Sequence, residues 1–172
     1  MKKVIIVGTS GSGKSMLANQ LSLLLKVTSY ELDDYYWLPG WQANPFCLQL
    51  LLNQLKNQEA WIVNGNYTKF LGPLWRQADT IIWLDYSFTR CFLQGLKRSL
   101  KRIFYRIPCC NGNFETIQRT FFSKDSLLVW IASTYQRRKA AYHDQFAQSS
   151  SGNKYLRFQT PKQLKPWLHS LF

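Results

Sequence analysis

Short continuous apolar runs alternate along the chain with stretches whose apolar residues recur every three or four positions. Lys3–Val7 is unbroken and rich in β-branched residues, as a strand buried on both faces should be. Leu17, Leu21, Leu24 and Leu25 then share one stripe of a helix predicted from about Lys14 to Lys26. Val27–Leu32 predicts a second strand ending at Asp33-Asp34. Asn44-Pro45, a capping residue before a proline, predicts a helix reaching about Asn57. Trp61–Val63 and Thr80–Leu84 predict a third and a fourth strand. Ser87 is placed to cap a basic helix from about Phe88 to Tyr105, and Asp85, just before it, is read as part of the same cap.

Ile107–Ser123 contains Pro108 and Gly112 with few periodic apolar residues, which predicts a mobile loop or lid. Ser123 or Asp125 is expected to open a long helix to about Ala147. Ser149–Gly152 reads as a turn, Tyr155–Phe158 as a last strand, and Thr160-Pro161 as the start of a terminal helix. Strands alternating with helices predict βα units around a five-stranded, doubly wound parallel sheet.

The 172 residues match one domain, 1–172, and 46% hydrophobic against 18% charged residues allows a packed core. No apolar run approaches the roughly 20 residues that span a bilayer, and the cytoplasm is the expected compartment. The four cysteines form no C-x-x-C pair and no histidine pair has zinc spacing, so free thiols are expected. Lysine and arginine outnumber acids 22 to 9, a net +13 that predicts phosphate-bearing partners without saying which.

The strongest chemical signal is Gly8-Thr9-Ser10-Gly11-Ser12-Gly13-Lys14-Ser15, a full G-x-x-x-x-G-K-[ST] between a buried strand and a helix. Glycines let the backbone turn its N–H groups inward on phosphate oxygens, and the helix N-terminus adds positive potential there. Lys14 is expected on the β- and γ-phosphates and Ser15 on Mg²⁺, making the chain an ATP binder. Asp33 falls at the carboxyl edge of the sheet, where a carboxylate can take a proton from an acceptor hydroxyl or hold Mg²⁺ through water.

The phosphate loop, Leu32-Asp33 with Trp37, Pro39-Gly40-Trp41, Trp61–Tyr67 and Ala78–Asp85 together resemble the adenylate-kinase-like family. More narrowly they resemble its DNA-topology-modulation (FlaR-like) branch. The resemblance covers most of the chain and is weakest over Ile107–Ser123. It implies a three-layer α/β P-loop NTPase fold, with helices on both faces of the sheet and a small lid at about 106–123. It also implies an aspartate at position 64 to support Mg²⁺, where this chain has Asn64, a hydrogen-bond acceptor without the charge. In such proteins arginines from the helices entering and leaving the lid reach the phosphates; Arg98 and Arg138 match those positions.

Residues 90–139 hold eleven of the 22 cations. Arg98 and Arg102 share a helix face and repel unless an anion sits between them. Beside the two positions that the resemblance implies, Arg102, Arg106 and Arg137 are neighbouring candidates for the phosphates. Tyr36, Trp37, Asn66 and Tyr67 follow strand ends and are candidates to line an acceptor pocket with aromatic faces and polar edges.

Three readings follow. The first is a small-molecule or nucleotide kinase using Mg·ATP. The second is a nucleotide-binding protein associated with DNA through its basic helix. The third is a nucleotide binder with weakened chemistry because of Asn64.

Overall fold

In a computed structural model, residues 1–123, 126–147 and 154–171 are described. The strands are β1 (Lys3–Gly8), β2 (Ser29–Glu31), β3 (Trp37–Leu38), β4 (Gln42–Ala43), β5 (Trp61–Asn64), β6 (Thr80–Leu84) and β7 (Lys154–Phe158). The helices are α1 (Lys14–Leu25), α2 (Leu32–Tyr36), α3 (Pro45–Lys56), α4 (Thr68–Gln77), α5 (Phe88–Phe104), α6 (Leu127–Ala147) and α7 (Pro161–His169).

The main sheet has the order β2-β5-β1-β6-β7, with every pairing parallel. Alternation along its central strands fixes which layer each residue meets. Ile5, Val7, Trp61, Val63, Ile81 and Trp83 face a cluster that includes Leu48 and Leu52 of α3, Leu71 and Leu74 of α4, and Tyr142 of α6. Val4, Ile6, Ile62, Ile82 and Leu84 face the opposite way, onto Leu17, Ala18 and Leu21 of α1 and Leu164 of α7. Two buried apolar faces on one sheet give the three-layer α/β architecture that the βα alternation predicts. Each such side chain, fully buried, contributes about 1.5–3 kcal/mol.

The order of strands reverses direction at β1. The chain passes from β1 over β5 to β2, returns to β5, and then crosses β1 to reach β6. Ligands in open α/β sheets bind at such a switch point, beyond the carboxyl ends of the strands. The phosphate loop, Glu31-Leu32-Asp33, Asn64–Tyr67 and Asp85 all leave the sheet at that edge.

Several expectations need correction. The second strand is shorter than Val27–Leu32, because Leu32-Asp33-Asp34-Tyr35-Tyr36 turns helical at once, and the small antiparallel hairpin β3–β4 follows. Helix α4 fills a stretch with no element assigned from sequence. Ser87 stands at the start of α5 but its side chain caps nothing. Asp85 is not a cap either: it is buried and pairs with Arg157 at 2.5 Å and Lys139 at 3.6 Å. A carboxylate this buried is stabilised by opposite charge more than by one backbone N–H.

Helix α6 starts at Leu127, where the Ser126 hydroxyl accepts from the Val129 N–H and donates to the Thr120 carbonyl. The alternative start at Asp125 and the turn Ser149–Gly152 lie outside the described residues. Residues 107–123 carry more structure than a plain loop. Cys109 and Asn113 form an isolated antiparallel bridge, and Gln118–Phe122 is a π-helical turn. At Thr160 the expected helix start is a complete capping box with Gln163.

Candidate active site

The loop after β1 has the shape its glycines permit. Gly11 has φ +83°, and a Cβ there would stand 2.2 Å from the Cys91 carbonyl oxygen of α5. Gly13, at φ +91°, is the residue from which α1 starts. The loop is thereby wedged between the sheet and the first turn of α5, with the Ser12 hydroxyl buried and unpartnered among the described residues.

Lys14 folds back into this loop, its Nζ donating to the Gly8 carbonyl at 2.9 Å and the Thr9 carbonyl at 3.1 Å. Burial pushes its ammonium down to about 8. The carboxylates of Asp33 and Glu31 oppose that shift, and the guanidinium groups of Arg98 and Arg138 add to it. Lys14, Asp33, Arg98 and Arg138, far apart in sequence, thus share one electrostatic neighbourhood.

Arg98 keeps its Nε, and Arg138 its Nη1, buried without a hydrogen-bond partner among the described residues. Burial draws the Arg138 guanidinium below its ordinary range, against the pull of Tyr142, Asp33 and Tyr67. A buried guanidinium nitrogen without a partner is costly, and an anion satisfies it. Arg102 differs: it forms a 2.8 Å ion pair with Glu115, so the anion that relieves its repulsion from Arg98 is a residue of the chain itself. Arg137 is exposed, one residue away from the inward face that Arg138 takes. The structure therefore brings Arg98 and Arg138 to the loop but not Arg102 or Arg137.

The Ser15 hydroxyl donates to Glu31 Oε1 at 2.7 Å. Glu31 pairs in register with Asn64, whose Oδ1 is buried and unpartnered. Burial raises the Glu31 carboxyl above its ordinary range, with Ser15 and Lys14 opposing. Sequence reasoning passed over Glu31; the signal was an acid two residues before Asp33 at a strand end. Among the described residues no cluster of three or more His, Cys, Asp or Glu side chains could hold a metal unaided. One serine, one carboxylate and one orphaned amide oxygen fit Mg²⁺, which keeps water and substrate phosphate as its other ligands.

On the acceptor side, Tyr67 donates its hydroxyl to Asp33 Oδ1 at 2.6 Å. Burial and the Asp33 charge hold that phenol protonated, well above its usual range. Tyr36 packs on Tyr67 at 4.8 Å between ring centroids and meets Trp37 edge-on at 5.0 Å, so three of the predicted lining residues form one aromatic wall beside Asp33. Asn66 does something else: its Oδ1 accepts from the Tyr142 hydroxyl at 3.3 Å, which braces the residue next to Arg138. Asp34 turns away from Asp33 and accepts from the Asn111 N–H.

Residues 111–114 clasp the β3–β4 hairpin. Asn113 accepts from the Trp41 N–H at 2.8 Å and donates to the Leu38 carbonyl at 2.9 Å, Asn111 donates to the Trp37 carbonyl, and the Phe114 carbonyl accepts from the Trp41 indole. Arg119 lies over the Trp41 ring at 4.5 Å. This segment touches the aromatic wall directly, which its sequence gave no means of predicting.

No protein-family model matches the chain, and no curated protein matches it by sequence. Solved structures do resemble it. A shikimate kinase from Acinetobacter baumannii, in complex with shikimate, aligns with TM-score 0.59 at 14% identity over 99% of this chain and 94% of that one. A shikimate kinase from Bacteroides thetaiotaomicron gives 0.56 at 14% over 98% and 94%. A deoxyadenosine kinase from M. mycoides gives 0.51 at 15% over 98% and 95%. At such identity the likeness establishes the fold alone: the three-layer α/β architecture with a five-stranded parallel sheet is shared with these solved structures.

Proposed function

We propose that the chain is a P-loop phosphotransferase that moves the γ-phosphoryl group of Mg·ATP to a small acceptor carrying a hydroxyl or phosphate. The observation that carries this reading is the convergence of Lys14, Arg98 and Arg138 on one neighbourhood that also holds Asp33. A nucleotide binder needs only the loop; two further buried cations with unsatisfied N–H groups beside a carboxylate are what a transferring phosphoryl group and its acceptor require.

In this reading the loop N–H groups and Lys14 grip the β- and γ-phosphates, displacing Lys14 from the Gly8 and Thr9 carbonyls. Ser15, Glu31 and Asn64 would hold Mg²⁺, which would supply charge neutralisation for the phosphates. Glu31 would supply the negative charge that Asn64 lacks. Asp33 accepts the acceptor's proton, its orientation fixed by the Tyr67 hydroxyl. Arg98 and Arg138 hold the equatorial oxygens as charge spreads over them. Tyr36, Trp37 and Tyr67 line the acceptor side, and residues 106–123 act as a lid whose contact with the hairpin couples closure to acceptor binding.

The neighbours, one bound to shikimate and one to deoxynucleotide products, support a kinase and leave the acceptor class open. The likeness to FlaR-like proteins rests on the sequence elements alone. On the basic helix behind a DNA-binding reading, Arg98 is turned inward and Arg102 is paired with Glu115, while Lys97 and Lys101 are exposed. ADP formation from Mg·ATP, screened against nucleosides, nucleoside monophosphates, sugars and sugar acids, tests the proposal. Stimulation well above background by one class is expected; tight ATP binding with a flat screen would overturn it.

A further inference from the structure

Helix α5 turns part of its apolar surface outward. Its buried positions are Cys91, Gly95 and Ser99, none of them a large apolar residue, and its inner side also carries Arg98 and Arg102. Three of its large apolar residues point the other way: Leu93 is 56% exposed, Leu100 48% and Phe104 81%, while Phe92, Leu96 and Ile103 are half-buried and Phe88 packs on Phe92 and Tyr135. Lys97 and Lys101, both exposed, are interleaved with them, so that Leu93, Lys97, Leu100, Lys101 and Phe104 fall within about 100° of arc on one helix face. The chain continues from this face into exposed Tyr105, Arg106 and Ile107. Among the described residues, ten of the eighteen exposed large apolar side chains lie between residues 100 and 130.

Packing alone explains why small residues face the phosphate loop, since the α5 backbone approaches Gly11 closely. It does not explain leucine and phenylalanine on the solvent side, where polar residues would cost nothing. Exposed apolar patches rimmed by charge mark docking surfaces.

The mixture selects among partners. A second copy docking by two-fold symmetry would set the lysines of this stripe against themselves. A nucleic acid would satisfy the lysines but offers no hydrocarbon to Leu93 and Leu100. An anionic bilayer surface satisfies both, taking leucine and aromatic side chains at the headgroup boundary and attracting lysine from the same face. We propose that the outer face of α5, from Leu93 to Phe104, docks the protein reversibly on an anionic lipid surface, independently of the chemistry on the helix's inner side.

Sedimentation with phosphatidylcholine vesicles, with and without about one-third phosphatidylglycerol, tests this. Binding is expected to the anionic vesicles and to be much weaker on phosphatidylcholine alone. Lys97→Gln with Lys101→Gln should weaken it roughly 25-fold, at about fivefold per cation. Leu100→Ser with Phe104→Ser should weaken it about tenfold or more at unchanged charge. Unaltered ATP affinity in each variant shows that the fold is intact. Three results would each overturn the proposal: no vesicle binding by the parent protein, binding indifferent to Leu100 and Phe104 and competed away by duplex DNA, or concentration-dependent dimerisation that the Phe104 change abolishes. Loss of kinase activity with vesicle binding retained would count against the phosphotransfer reading only.

Discussion

Lys14 is a charge stored in a place that disfavours it, and the consequence can be measured without any substrate. Its ammonium, ordinarily near 10.5, is brought down to about 8, chiefly by burial. Each unit corresponds to about 1.36 kcal/mol, so keeping Lys14 protonated in the free protein at pH 7 costs about 3 kcal/mol. The folded value is depressed for a group that is charged when protonated. The unfolded chain therefore binds the extra proton between pH 8 and 10.5, and stability rises with pH across that window. Below pH 8 both states are protonated and the penalty is present in full.

Lys14→Met removes the ionisable group along with two hydrogen bonds to carbonyls, each contributing on the order of 1 kcal/mol. Near pH 7 the variant should equal or exceed the parent by about 1 kcal/mol, while losing ATP binding. Towards pH 10 the parent should gain on the variant by about 2–3 kcal/mol. Guanidinium unfolding of both proteins at pH 7, 8, 9 and 10 gives the difference directly. Parallel stability curves would refute the buried-charge argument, and ATP affinity retained in the variant would refute the role given to the loop.

Asp33→Asn should lower acceptor-dependent turnover by about 10²–10⁴-fold while ATP affinity changes less than threefold, as read by steady-state kinetics beside calorimetric binding. Arg98→Ala and Arg138→Ala should each cost about 10²–10³ in kcat, yet leave urea stability of the free protein unchanged or higher, since each removes a buried unsatisfied donor. Glu31→Gln should raise the Mg²⁺ concentration needed for half-maximal turnover about 10–100-fold and weaken Mn²⁺ binding, seen by electron paramagnetic resonance in the presence of ADP. Asp85→Asn should destabilise the fold by about 1–3 kcal/mol in chemical denaturation, because Arg157 and Lys139 lose their shared carboxylate.

The sheet was legible because its strands announce themselves by short continuous apolar runs, while the structure alone separates Ile5 and Val7 from Val4 and Ile6. The phosphate loop was legible because glycine and lysine at that spacing serve one geometry. Helix α2 and the β3–β4 hairpin were not, since Leu32–Ala43 is too short and too aromatic for any period to emerge. Asp85 was misread because the sequence shows only its neighbour Ser87, while its partner Arg157 is 72 residues away on β7. Glu31 was missed for a related reason: Ser15 lies 16 residues upstream, and only the parallel register of β2 and β5 brings the serine, the acid and Asn64 together. Arg102 looked like a further phosphate ligand beside Arg98, and only the structure shows that Glu115, 13 residues on, pairs with it.

The most direct test of the account is transfer itself. The protein is incubated with Mg·ATP labelled in the γ-phosphoryl group and with the acceptor panel, and the label is followed into each compound by mass spectrometry. Label should enter one acceptor class, fall to background with Asp33→Asn, and reach water only slowly. ATP bound with full occupancy, and label recovered solely as inorganic phosphate with every acceptor, would contradict the proposal that this site is a kinase.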